Sequence, residues 1–432
     1  MRDEVASIGL VGAGNRGLDV YGEGVRKRPD LAVVAAVADP DPAARERAGR
    51  RLGIPADRRF ASASEMLENA PALEAVIVAS PDPAHVTPTL EALDRGLALL
   101  LEKPIAPDLE GVRAVERAGA GGDVTVGHVL RYTPFFRAIK ELVDAGRLGR
   151  LVAVEHTENI GHWHFAHSYV RGNWRQGGAA SPMLLAKACH DLDVLRWLAG
   201  SPCESVDSLG ELLHFRPENE PPGATDRCTD GCAIERSCPY SALRIYTERF
   251  AGEAGWPNSV VAPDGDDEAV LAALRTGPYG RCVYRCDNDV VDHQLVQLRF
   301  ASGVKASLTV SAFTEENTRT VHLMGTHGEL RGHMERGELT LTDFARGRTE
   351  RIQVGAGGRH GGGDDALLLA FLERLRDRRA GRPPEPTASA LAEATESHRM
   401  AFAAERARLE GRRVRLAELD EGTAQLPSGR LS

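Results

Sequence analysis

Long apolar runs are absent from this 432-residue chain. Stretches such as Leu31 to Ala38 are strand-sized, well short of the roughly 18 to 20 apolar residues of a membrane span. An excess of basic charge is missing too: 53 Lys+Arg stand against 62 Asp+Glu, a net charge of -9. Phosphate neutralisation needs the opposite balance, so neither nucleic acid nor a membrane is expected as a partner. Cysteine is sparse and odd in number, seven in all, with five crowded between residues 228 and 286. A secreted disulfide framework explains that count poorly, and thiols in a reducing compartment explain it better. The opening MRDEVASIGLVGAG enters a strand-like segment at once, with no charged and apolar leader, so a cytoplasmic location is expected. Internal repeats are absent as well.

Alternation is what the first third has. Short β-branched runs at Ser7 to Val11, Val33 to Ala38, Ala75 to Ala79, Ala98 to Leu101 and Val124 to Gly127 are separated by helical stretches. Asp41 to Leu52 and Val86 to Arg95 are the clearest, with Pro near their starts and Gly53 or Gly96 where C-terminal caps are wanted. Such βαβ repetition predicts a parallel sheet over residues 1–130. From about residue 150 the pattern changes to strands joined by tight turns: Leu151 to His156, His293 to Phe300, Val304 to Phe313, Thr320 to Gly325 and Glu338 to Asp343. The fold class is therefore α/β, a parallel-sheet domain followed by an α+β domain over 131–415 with a mostly antiparallel sheet. A Pro/Gly/Cys-rich insertion at about 216–286 carries a helical piece near Asp266 to Leu274. Two helices, near Asp364 to Arg379 and Ser389 to Glu410, precede a tail at 416–432.

Gly12-Ala13-Gly14-Asn15-Arg16-Gly17 sits between the first strand and a helix, the context in which G-x-G-x-x-G binds a dinucleotide. The first glycine permits the tight turn, the second lets a pyrophosphate approach the backbone, and the third lets helix pack on strand. Asp39 follows the second strand, 22 residues after Gly17, where a carboxylate accepts hydrogen bonds from the adenosine ribose and repels a 2'-phosphate. NAD is the expected cofactor.

Glu102-Lys103-Pro104 makes the reading specific, because it resembles the E-K-P motif of the Gfo/Idh/MocA oxidoreductases. Further landmarks agree in order: Ser80-Pro81-Asp82 with His85, the segment Gly127 to Pro134, Gly146 to Gly149, and His190 to Trp197. The resemblance runs from about residue 6 to residue 415 and implies an N-terminal Rossmann domain followed by an α+β substrate domain with a large, mostly antiparallel open sheet. It implies a cofactor-side set of Gly12, Gly14, Asn15, Arg16, Gly17, Asp39, Ser80, Asp82, His85, Glu102 and Lys103, with Lys103 beside both nicotinamide and substrate. It also implies a homodimer or homotetramer built on the C-terminal sheet. His190 matches the family's second-motif histidine, yet Ala186 stands where an aspartate is usual, and Lys187 lies three residues before His190 on nearly the same helix face. Lys103, His190 and Lys187 are accordingly the expected catalytic groups. A lysine or histidine in a partly dry pocket can take or relay a carbinol proton.

A stretch rich in His, Trp and Arg follows. His162, Trp163, His164, Arg171 and Trp174, with Tyr132 and Lys187, are expected to bind substrate, since aromatic faces and guanidinium groups suit sugar rings and anionic substituents. His360 is a further residue able to reach the cleft. The expected activity is hydride transfer between a secondary carbinol of a sugar, cyclitol or glycoside and NAD. An NAD-dependent glycosidase working by transient C3 oxidation is the alternative, and an NAD-binding scaffold without catalysis is a third. Cys228, Cys232 and Cys238 with Cys286, or Cys282 in its place, have spacing that suits a structural zinc. Free thiols, disulfides and an iron–sulfur cluster are the other readings of that cluster.

Overall fold

The computed structural model describes residues 5–421, apart from 254, 264, 356, 358 and 384. The tail from 422 onward lies outside the described residues. Six strands, β1 (Ala6–Val11), β2 (Ala32–Ala38), β3 (Arg59–Phe60), β4 (Ala75–Val78), β5 (Ala98–Leu101) and β6 (Val124–Val126), form an all-parallel sheet in the order β3-β2-β1-β4-β5-β6. The order reverses beside β1, and a doubly wound sheet takes its ligand in the crevice at such a switch point. Strands β4 and β5 are buried along their whole length, which is why they read as unbroken apolar runs.

The second sheet has nine strands, built from β7 (Leu151–Gly161), β8 (Cys203–Glu211), β9 (His293–Phe300), β10 (Lys305–Thr314), β11 (Thr318–Gly325), β12 (Gly328–His333), β13 (Glu338–Asp343), β14 (Arg348–Gln353) and β15 (Val414–Arg415). Their order is β14-β13-β12-β11-β7-β10-β9-β8-β15, and only the β7–β10 pair is parallel. Four of these strands escape sequence reading for a physical reason: β15 has only two residues, too few to show any alternation. β14 is an edge strand exposed at nearly every position, so it carries no apolar alternation, and β8 and β12 each contain a glycine among polar residues.

Helices Met183–Ala199 and Leu391–Glu410 pack together and on this sheet. The first is buried on almost every side, so each polar residue on it must find a partner inside the protein. Helix Gly363–Arg379 returns to the first sheet, where Leu367, Leu368, Phe371, Leu372 and Leu375 join Ile8, Leu10 and Ile77 in one apolar cluster. Between β8 and β9 lies the insertion, with a helix at Asp267–Thr276. No helix among the described residues is long and apolar enough to cross a membrane.

Candidate active site

The glycine loop is shaped as its sequence requires. Gly12 has φ +90, and a Cβ there would stand 2.6 Å from the Ala79 carbonyl oxygen; at Gly17 a Cβ would stand 1.8 Å from the Gly12 oxygen. A Cβ on Gly14 would meet nothing within 4 Å. Gly14 also caps the helical segment Asn15–Gly22 without any side-chain hydrogen bond, and the first amides of a helix have no acceptor of their own. The loop thus offers an open anion cradle of the kind a pyrophosphate fills. Asp39 accepts a hydrogen bond from Ala13 N–H at 2.7 Å and another from Asp41 N–H at 2.9 Å, which locks the loop to the end of β2.

Several residues of the expected cofactor set turn to each other instead. Asn15 donates from Nδ2 to Asp19. Arg16 pairs with Glu102 and, at 2.9 Å, with Asp364, while Tyr21 donates to Glu102 at 2.7 Å. Burial pushes the Glu102 carboxyl up, but Arg16 and Lys103 together bring it below the ordinary carboxylate value. Its second oxygen accepts from the Lys103 N–H at 2.9 Å. The first two members of the E-K-P motif are thereby tied to the glycine-loop helix and to helix Gly363–Arg379. His85 spans the Ser80 and Pro104 carbonyls, each at 2.7 Å, and the Lys103–Pro104 peptide is cis. Asp82 is buried and accepts from Ser181 Oγ at 2.9 Å and Trp174 Nε1 at 3.2 Å.

Lys103 reaches across to the second domain, donating from Nζ to the Ala186 carbonyl at 2.7 Å. That contact brings it to the helix that carries Lys187 and His190. Lys187 pairs with the buried Glu158 of β7 at 3.2 Å. Burial lowers the Lys187 pKa, Glu158 opposes the shift, and Arg319 and Lys103 reinforce it. His190 is 4% exposed, and its Nδ1 is buried without a hydrogen-bond partner. Burial, followed by the nearby charge of Lys103, holds its pKa well below the ordinary histidine value. The His360 ring, on a residue with φ 47, lies 6.1 Å from that of His190 and bonds Asp364 at 2.9 Å. Lys103, Lys187, His190 and His360 therefore lie near one another where the E-K-P strand end meets helix Met183–Ala199.

The other expected substrate residues divide. His164 lies on the Lys187 side: it bonds Asn317 at 2.9 Å, and burial, then the charge of Lys187, lowers its pKa. Trp163 stacks against His164 and packs on Phe250 and Trp256, while His162 sits near Glu315 at 3.4 Å. Three residues lie elsewhere. The Tyr132 hydroxyl is bonded to Thr387 and Ser389, with its ring in the first domain's core. Trp174 is held by Asp82, and Arg171 points into the cysteine-lined cavity of the insertion. A single-ion zinc site is not formed: among the described residues no three His, Cys, Asp or Glu side chains are placed to hold a metal ion. Cys286 donates its thiol to the Cys282 carbonyl at 3.2 Å.

Sequence reasoning missed the charges that support the site. Asp191 pairs with His156 and Arg319, Arg319 with Glu158, and Arg131 with Asp193, all interior or nearly so, and Arg131 also pairs with the half-exposed Glu393. Their only sequence signal is ionisable residues within otherwise apolar stretches.

Comparison with known proteins agrees with this geometry. A model described as oxidoreductase family, NAD-binding Rossmann fold, matches residues 6–128, and its C-terminal alpha/beta domain counterpart matches residues 140–416. The putative oxidoreductase YteT of Bacillus subtilis is 26% identical over 311 residues, 68% of this chain and 70% of that protein. An inositol 2-dehydrogenase of Streptomyces avermitilis is 35% identical over 218 residues, 48% of this chain and 57% of that protein; the match thus spans little more than half of the inositol enzyme. Among solved structures, levoglucosan dehydrogenase in complex with NADH and levoglucosan superposes with a TM-score of 0.68 at 18% identity, covering 95% of this chain and 99% of that one. A putative myo-inositol dehydrogenase from Sinorhizobium meliloti gives 0.63 at 20% identity, with coverage of 95% and 99%. These two structures share the fold.

Proposed function

Because the chain belongs to the Gfo/Idh/MocA oxidoreductase family, we propose that it is an NAD-dependent dehydrogenase acting on a secondary carbinol of a sugar or cyclitol. The observation that carries the reading is the meeting of Lys103, from the end of β5, with the helix bearing Lys187 and His190 across the two domains. When bound, NAD supplies the hydride acceptor. Gly12, Gly14 and Gly17 form the phosphate cradle, and Asp39 holds the loop and faces the ribose position. Lys103 hydrogen-bonds the carbinol oxygen. His190, neutral near pH 7 because its pKa is lowered, takes the hydroxyl proton as the C–H bond gives up its hydride. Lys187, anchored by Glu158, and His164 orient neighbouring hydroxyls. Arg16, Glu102, Asp82 and Trp174 act as positioning residues rather than cofactor or substrate ligands.

The relatives named above are dehydrogenases or oxidoreductases, so a redox-cycling glycosidase is not favoured. A homodimer or homotetramer through the open face of the second sheet belongs to the same proposal, supported by the exposed Val152, Leu209 and Leu295 on β7, β8 and β9. The test is to incubate the protein with NAD and a panel of free sugars, cyclitols and glycosides, following NADH absorbance and aglycone release together. Net NADH without aglycone supports the proposal. Aglycone release with no net NADH, or no reaction across the panel with tight NAD binding retained, overturns it.

A further inference from the structure

His360 is held in a backbone conformation that its residue type disfavours. It has φ 47 and ψ 43 and is followed by Gly361 and Gly362 at φ 60 and 85, so three successive residues are left-handed just before helix Gly363–Arg379. Among the described residues it alone, apart from glycines, has a positive φ. Glycine adopts this backbone freely, whereas a residue with a Cβ is strained there, and such strain persists chiefly at functional positions.

The side chain is oriented by a carboxylate. Asp364 is buried, pairs with Arg16 at 2.9 Å and accepts from His360 Nδ1 at 2.9 Å. Burial raises the Asp364 carboxyl, but Arg16 and then His360 hold it well below the ordinary carboxylate value, so it only accepts. Nδ1 therefore carries the proton of the neutral His360 ring, and Nε2 is left as the base. The His360 side chain is 40% exposed, and its ring centroid lies 6.1 Å from that of His190, a gap that one water molecule bridges. His190 is a poor place for a proton to stay. An imidazolium donates from both nitrogens, yet His190 Nδ1 is buried with no partner, and Lys103 and Arg319 repel added positive charge. The ring of His128 is also near, at 5.6 Å, but it is fully buried and leads inward to the equally buried His398. Besides Asp364 and His190, the titratable group that senses His360 is His164.

We propose that the His360–Asp364 pair is the proton exit of the site, passing the proton that His190 takes from the carbinol out to solvent. The inference rests on the dehydrogenase reading and adds a residue to it. In the balanced step the carbinol O–H bond breaks and its proton goes to His190, the C–H bond gives its hydrogen with both electrons to NAD, and a C=O bond forms. His190 then returns to neutral by releasing the proton to His360 Nε2. The resulting imidazolium is stabilised by Asp364 on Nδ1, as a carboxylate does for a histidine base, and water takes the proton from Nε2. Each turnover yields one carbonyl product, one NADH and one proton.

The test is His360→Gly in the full chain, a change that suits the left-handed backbone and so spares the fold. With NAD and a substrate identified by the panel, turnover should fall about 10²-fold, with NAD affinity by titration calorimetry unchanged. Imidazole added to the buffer should restore turnover in part and saturably, and substituted imidazoles should do so in the order of their basicity, which a merely structural contact to Asp364 does not produce. His360→Asn, which tolerates the same backbone, should show the same loss. Undiminished turnover in His360→Gly, or a loss that no imidazole restores, overturns the proton exit and leaves the dehydrogenase reading standing. An unaltered chain that forms no NADH with any compound of the panel overturns that reading, and this inference with it.

Discussion

Lys103 sits at the junction of both domains, with its backbone fixed by Glu102 and its ammonium on Ala186. Under the proposed role, replacing it with Met removes a hydrogen bond to the carbinol oxygen and leaves the glycine loop untouched. Turnover should fall by about 10²- to 10⁴-fold, with NAD binding by titration calorimetry unchanged; wild-type-like turnover would remove Lys103 from the chemistry. The glycines permit a sharper separation. Gly17→Ala puts a methyl group into the Gly12 carbonyl and should lower both thermal stability and NAD affinity, whereas Gly14→Ala meets nothing in the protein. Gly14→Ala should keep the melting temperature and weaken NAD binding by about tenfold or more, roughly the 1.4 kcal/mol of one order of magnitude in Kd. Equal affinity in Gly14→Ala would mean that the loop is not the cradle.

The buried helix Met183–Ala199 carries the proposed catalytic residues and supporting charges on successive turns: Lys187 pairs with Glu158, while Asp191 and Asp193 reach Arg319 and Arg131. The glycine-loop helix, the E-K-P strand end and helix Gly363–Arg379 are joined through Arg16, which touches Glu102 and Asp364. Arg16→Met leaves two buried carboxylates without their cation. Its cost should lie near the lower end of the range for breaking a buried pair, about 3 kcal/mol, because the Arg16 side chain keeps 26% exposure. Denaturant unfolding measures this directly. A loss below about 1 kcal/mol, the worth of a surface pair, would show that the three elements are not coupled through this residue.

For the whole molecule, acid should be destabilising well before carboxylates titrate. His128 and His398 are fully buried, and burial lowers both to about 3, with the charge of Arg131 reinforcing the shift at His128 and that of His128 reinforcing it at His398. The His398 tautomer is fixed by its partners: Nε2 accepts from Ile105 N–H and Nδ1 donates to the Ala394 carbonyl. Both imidazoles are neutral in the folded chain above about pH 3, but in the unfolded chain they protonate below about 6.5. The unfolded state therefore binds more protons between those values, so stability is highest above 6.5, falls as pH drops, and is fully lost from this source below about 3. Each group contributes about 1 kcal/mol per pH unit within the window. Denaturation midpoints should decline between about pH 7 and pH 5; a flat profile would contradict buried neutral histidines. Assembly is tested separately. Leu295→Arg, on the exposed face of β9 in the second sheet, should convert an oligomer to monomer by light scattering without lowering the helix signal, and an unchanged mass would place the contact elsewhere.

Local pattern alone determined the parallel sheet and the glycine turn, because each depends on short-range rules: β-branched runs and positive φ at Gly12. The antiparallel sheet was legible where one face is buried, as in β9 and β10, and illegible at β14, where no face is. Only the tertiary structure decided where long side chains end. Arg171 and Trp174 lie within a segment that reads as one substrate loop, yet they point into the cysteine cavity and to Asp82, while His164 bonds Asn317 on the Lys187 side. Arg16 and Glu102 lie 86 positions apart, and Arg16 and Asp364 lie 348 apart, so no local rule relates them. A guanidinium reaches whichever carboxylate the fold leaves unpaired, and that is settled by packing across the domains rather than by spacing along the chain.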